Sequence, residues 1–305
     1  MYPDATPATN AGDFPLVVVA HGLFGERTNF TGLLGVLASR GYVAAALDFP
    51  LTNFSTYESE TVWLPDLFEQ PGDLSFVIDS LTGIGDPAAA QLAKIVDGER
   101  IGLIGHSFGG ATVLLTGYPG PLKDPRIDAV VALSPFTCIF GSESFANGSV
   151  PLLLVHGSSD AILEQIWSDE LDEFLPAPEI YAKIIGGDHM GFVSDPTRPP
   201  NERDLDFFSV VSSAQAAAEA SFAEFGVAAA NSVPGVDLVR CALRPLIALP
   251  DAERDPVIPM SRQRAISDAS IVLFFDSYVN GDATAAQGVA DELSKLAPEM
   301  QITAK

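Results

Sequence analysis

The feature that most constrains this chain is a short apolar run, 101–104, that stops at Gly105-His106-Ser107-Phe108-Gly109-Gly110 and resumes as a helix-like segment to Thr116. A serine between two glycines at a strand-to-helix junction predicts a strained turn. The glycines leave room for crossing backbone, and the helix N-terminus beneath the serine favours negative charge developing there. Ser107 is therefore the candidate nucleophile. A bare G-x-S-x-G arises often by chance; the strand before it and the helix after it give it weight.

The same alternation runs through the first two thirds of the chain. Strand-like runs at 16–20, 43–47, 101–104, 129–133, 152–155 and 180–185 are separated by helix-like segments at 30–40, 73–81, 88–96, 108–116 and 163–174. This rhythm predicts an α/β fold, a mostly parallel central sheet with helices on both faces. In such sheets, ligands bind beyond the carboxyl ends of the strands. From about 195 the rhythm breaks: 205–225 is Ala-rich, and prolines at 234, 245, 250, 256 and 259 punctuate the stretch 231–259. The expectation is one domain over 1–305. Within it, 195–259 forms a helical lid or rim, or simply extra helices packed on the core. A last helix is expected over 262–278.

Composition narrows the chemistry. Of 305 residues 47% are hydrophobic, enough for one large core. No stretch approaches the roughly 20 uninterrupted apolar residues of a membrane-spanning helix. Forty acidic residues against sixteen basic ones give a formal charge of -24, which argues against nucleic acid or an anionic membrane as partner. A solvated acidic surface accounts for that excess most simply. The two cysteines, Cys138 and Cys241, form either one disulfide of an exported protein or two buried thiols. Neither they nor the four scattered histidines have metal-ligand spacing, so no metal and no cofactor is expected. The polar stretch 1–13 lacks the pattern of a signal peptide. A mature exported chain is favoured over a cytoplasmic one, and the oligomeric state is not legible.

A serine hydroxyl needs a base. His106 precedes the nucleophile and should point away from it. His21 ends the first strand and should shape its loop, and His156 should be tucked against the sheet. His189 remains, on the loop Gly186-Gly187-Asp188-His189-Met190-Gly191, and completes a Ser…Asp…His order. Asp160, after the strand 152–155, is the candidate acid, although an aspartate there also suits a helix N-cap. Asp188 ranks below it. The oxyanion of an attacked carbonyl needs two backbone donors. Phe108 supplies one. Leu23, after His21-Gly22, is the first choice for the other and Phe24 the second. Phe24, Trp63 and Phe136 are candidates for substrate contact, or else core.

His21-Gly22-Leu23, Gln70-Pro71-Gly72-Asp73-Leu74, 105–113 and the Gly-Asp-His loop together resemble the dienelactone hydrolase-like group of the α/β-hydrolase superfamily. That group includes platelet-activating factor acetylhydrolases and merges with cutinase-like polyester hydrolases. The resemblance implies the α/β-hydrolase fold, ester hydrolysis through an acyl-enzyme, and Leu23 and Phe108 as oxyanion donors. Two departures matter. The acetylhydrolase acid position holds Ser134-Pro135 here, so the acid moves to Asp160, as in cutinase-like esterases. Dienelactone hydrolases proper use a cysteine nucleophile. The expected substrate is a short to medium ester, or alternatively a polymeric ester or lipid. A non-catalytic binding protein on the same fold is the distant rival.

Overall fold

The computed structural model describes residues 12–55, 63–84, 89–118, 120–146, 148, 150–194, 233–237, 240–241, 255–281 and 286–305. Seven strands form one sheet in the order β2-β1-β3-β4-β5-β6-β7: β1 (Phe14–Ala20), β2 (Val43–Ala46), β3 (Val96–His106), β4 (Ile127–Leu133), β5 (Leu152–Gly157), β6 (Glu179–Ile184) and β7 (Met300–Ala304). All pairings are parallel except β6 with β7. Around the sheet lie α1 (Thr31–Ser39), α2 (Trp63–Leu81), α3 (Phe108–Gly117), α4 (Ile166–Asp172), α5 (Met260–Tyr278) and α6 (Ala286–Leu296).

The alternation of strand side chains builds two cores. Leu16, Val18 and Ala20 of β1 face α2 and α3, where Leu67, Leu74, Ile78, Val113 and Leu114 pack. Val17 and Val19 face the other way, onto Leu33 and Leu37 of α1 and Ile271, Phe274 and Phe275 of α5. Both faces of the central strands are thus dry, and hydrophobic burial there dominates the stability. The two-sided burial explains why these strands read as continuous apolar runs.

Three features differ from the sequence expectation. Helix α2 starts at Trp63 rather than Asp73 and carries Pro71 inside it. Leu67, Leu74 and Ile78 share one fully buried face across the proline, so burial outweighs the lost backbone bond. The expected helix over 88–96 is instead a set of turns from 89, and Val96 already pairs with Phe14 as the first residue of β3. Helix α6 and strand β7 are additions at the sheet edge. Each turns few apolar side chains inward, chiefly Val289 and Leu293 from α6 and Met300 and Ile302 from β7.

Cys138 and Cys241 are joined in a disulfide. Beside it, residues 233–237 lie against the loop after β4, where Gly141 N–H donates to Gly235 O (2.8 Å) and Asp237 N–H to Ile139 O (2.8 Å). The rest of the expected lid or rim, apart from 255–259, lies outside the described residues. No described helix is long and apolar enough to cross a membrane.

Candidate active site

The elbow is built as its sequence demands. Ser107 has φ +56°, in the left-handed region, between β3 and the first residue of α3. Such a conformation costs a non-glycine residue about 1–3 kcal/mol unless its surroundings enforce it. Here they do. Ser107 N–H donates to Leu133 O (2.9 Å), while Ser107 O accepts from Gly110 N–H (2.9 Å) and Phe136 N–H (2.9 Å). A Cβ on Gly105 would overlap the Gly109 carbonyl, and one on Gly109 would overlap the carbonyls of Ala20 and His21. The Gly-x-Ser-x-Gly spacing is therefore steric: two backbone crossings need the room.

The loop after β1 closes on the same point. A Cβ on Gly22 would stand 2.9 Å from the Cβ of Ser107. His21 is buried, accepts from Phe49 N–H at Nε2 (3.0 Å) and holds Gly22 O at Nδ1 (2.8 Å). The Phe49 bond places the ring proton on Nδ1, and burial lowers the imidazole pKa, keeping it neutral. His21 shapes the loop. Phe24 also lies at positive φ, +60°, and its N–H is committed to Thr52 O (2.8 Å). The N–H of Leu23 donates to no described group. Of the two candidate donors on this loop, geometry therefore favours Leu23.

His189 and Asp160 meet. The imidazole Nδ1 lies 2.7 Å from Asp160 Oδ2, and both side chains are buried. Asp160 Oδ1 accepts from Ile162 N–H (2.9 Å) and Leu163 N–H (2.7 Å), so the residue caps the following turn as well as holding the histidine. His156 Nε2 stands 3.4 Å from Oδ2. Burial alone raises the Asp160 pKa. The charge of His189 and the hydrogen bonds from His156 and His189 outweigh it, and the carboxyl is held well below its usual range. His156, fully buried, also bonds Ser168 Oγ (2.7 Å) and Leu163 O (2.9 Å), a structural histidine as its position predicts.

His106 links the base to the elbow. Its Nε2 lies 3.0 Å from His189 O, and the two rings sit 4.6 Å apart. Burial, then the neighbouring His189 charge, lower its pKa well below the ordinary value, so a neutral ring donates to that carbonyl. The residue before Ser107 thus braces the residue expected to act on it.

The substrate candidates fare differently. Phe24 and Phe136 are only 5% exposed and belong to the core; the Phe136 ring packs against Phe108 and Trp167. Their burial beneath the site reflects strong apolar packing around the elbow. The side chain of Trp63 lies outside the described residues. Leu51 and Phe54 are exposed instead, on the loop that holds Phe24 through Thr52 O, and Phe54 N–H donates to Gly25 O (3.3 Å). Sequence reasoning also missed a buried polar cluster under the β1 loop. Gln70 Nε2 donates to Thr52 Oγ1 (2.9 Å) and Asp66 Oδ2 (2.9 Å), and Thr112 Oγ1 to Gln70 Oε1 (2.5 Å). The Gln70-Pro71-Gly72-Asp73 motif was visible; its partners 18 and 42 residues away were not. Among the described residues no cluster of ligands suits a metal ion.

A model of the alpha/beta hydrolase family matches residues 17–282. The chain belongs to that family. A bis(hydroxyethyl) terephthalate hydrolase of Streptomyces coelicolor is 28% identical over 155 residues, 51% of this chain and 43% of that protein. Platelet-activating factor acetylhydrolases of Cavia porcellus and Bos taurus are 23% and 27% identical, over 50% and 47% of this chain and 42% and 40% of theirs. The chain thus matches less than half the length of each of these relatives. A ferulic acid esterase of Streptomyces cinnamoneus superposes with a TM-score of 0.58 at 21% identity, over 98% of this chain and 76% of that one. That likeness speaks for the fold alone.

Proposed function

We propose that this alpha/beta hydrolase is a serine carboxylic ester hydrolase that works through an acyl-enzyme on short to medium esters. One observation carries the reading. The His189–Asp160 pair, closed at 2.7 Å, is braced through His106 onto the very turn that holds Ser107 at positive φ. The relatives support the reaction class, since their names describe ester-cleaving enzymes.

In the proposed cycle His189 takes the hydroxyl proton as Ser107 Oγ attacks the ester carbonyl. Asp160 fixes the tautomer and stabilises the imidazolium. The oxyanion is held by the N–H groups of Leu23 and Phe108, each such donor being worth about 3–4 kcal/mol to the transition state. Collapse expels the alcohol, which takes the proton from His189. Water, deprotonated by the same imidazole, then releases the acid and restores Ser107.

Replacing Ser107 by Ala should abolish hydrolysis of p-nitrophenyl acetate and butyrate and remove labelling by a fluorophosphonate. Turnover at the wild-type rate in that variant would sink the assignment. The terephthalate-ester relative and the exposed Leu51 and Phe54 beside the β1 loop favour a second reading, action on polymeric or lipid esters. Activity that rises with acyl length and persists on an insoluble polyester would select it.

A further inference from the structure

Helix α5 carries a fully buried glutamine, Gln263, that no step above uses. Its side-chain amide faces the base loop as a peptide group would. Asp188 N–H donates to Gln263 Oε1 (2.9 Å), and Gln263 Nε2 donates to Asp188 O (2.7 Å). The loop is moulded around this amide. A Cβ on Gly191 would overlap Gln263 Oε1, and one on Gly187 would come within 3.2 Å of its Cδ. We propose that Gln263 is the positioning residue of His189, holding the imidazole in line through the peptide groups on either side of Asp188. The proposal rests on His189 acting as the base.

Fixing both the N–H and the C=O of Asp188 sets the two peptide planes that lead into His189. The next carbonyl, that of His189 itself, is bonded by His106 (3.0 Å). Three successive peptide units, from Gly187 to Met190, are thus each tied through one polar group, which restrains the backbone on both sides of the His189 Cα and leaves the side-chain torsions to be set by Asp160. Glutamine suits the task because it offers one donor and one acceptor in a plane. A glutamate loses the donor when ionised, and an asparagine is one methylene short.

The segment before α5 repeats the pattern on neighbouring residues. Ile258 N–H donates to Gly186 O (2.8 Å), Gly186 N–H to Ser158 Oγ (2.9 Å), and Ser158 Oγ to Asp255 Oδ2 (2.6 Å). Segment 255–263 therefore splints the loops bearing both His189 and Asp160.

The test compares full-length wild type, Gln263→Met, Gln263→Glu and Ser107→Ala. Read out are kcat and KM on p-nitrophenyl butyrate, the rate of fluorophosphonate labelling, and the low-field proton resonance of the His189–Asp160 bond. Misplacing a catalytic group by about an ångström costs on the order of a hundredfold. Both Gln263 variants should therefore lose about 10- to 100-fold in kcat and in labelling rate, with KM within about threefold, and should shift or broaden the resonance. Folded variants with wild-type kcat and an unmoved resonance overturn the proposal. So does failure of both variants to fold, which would make Gln263 a residue of stability alone. Labelling that survives Ser107→Ala would instead overturn the underlying assignment of the site, a distinguishable result.

Discussion

Asp160 and Glu179 are both buried carboxylates, one just past the carboxyl end of β5 and the other at the amino end of the neighbouring parallel strand β6, and their surroundings push them in opposite directions. Asp160 follows the carboxyl end of β5 and receives two backbone N–H groups and the imidazole of His189. Its pKa is depressed even though burial works against ionisation. Glu179 opens β6 at the far end. Neither of its oxygens accepts a hydrogen bond from a described group, and the nearest cation, Lys305 Nζ, stands 3.5 Å away. Burial, then the charge of Asp172, raise its pKa to about 8. Desolvation is common to both. What separates them is directed donors, and these gather where the loops converge, at the carboxyl end of the strands.

The largest break in that comparison is Asp160→Asn. It keeps the shape but removes the charge that fixes the imidazole tautomer, so kcat/KM should fall about 10³–10⁴-fold. Ester hydrolysis by the purified variant within tenfold of wild type would remove Asp160 from the proposed site. The substitution should also show in acid unfolding. Because the folded-state pKa lies below the unfolded value of 3.8, the stabilising contribution is present above that value and lost as pH falls below it. Denaturant melts should therefore show wild type losing stability below about pH 4 more steeply than Asp160→Asn. Equal slopes would mean the carboxylate is not selectively stabilised.

Local features of this site were legible in the sequence and distant ones were not. The Ser107 elbow reads as a short run of adjacent residues whose glycine spacing is enforced sterically, although the backbone that crowds and holds it comes from Ala20, His21, Leu133 and Phe136. His189 was the candidate left after three other histidines were set aside by position, and Asp160 followed from strand order, which in a parallel sheet brings successive loops to one edge. Gln263 reaches back 75 residues to Asp188, and nothing in the apolar pattern of α5 distinguishes a buried amide from a neighbouring serine. Glu179 was invisible for a related reason. A charged residue at a strand start reads as solvated, yet Glu179 is fully buried, flanked in the sheet by Leu152 of β5 and by Lys305 just after β7. Phe24 and Phe136 were read as substrate contacts or core because aromatic residues near a nucleophile fit both. Packing against Phe108 and Trp167 puts Phe136 in the core.

The smallest expected effect sharpens the comparison from the other end. Glu179→Gln replaces a carboxyl by an amide of the same shape, far from Ser107, and should leave turnover of p-nitrophenyl butyrate unchanged. Its signature is in stability. With the folded-state pKa raised from 4.5 to about 8, the folded protein holds the proton more tightly than the unfolded chain. The associated stabilisation is complete below pH 4.5 and drains away as pH rises to about 8. Thermal melts should show wild type and variant alike near pH 5, with the variant more stable by a few °C at pH 8.5. Parallel pH profiles for the two proteins would show that Lys305 neutralises Glu179 as effectively as His189 and two backbone donors serve Asp160. Partner geometry would then not be what divides the two carboxylates.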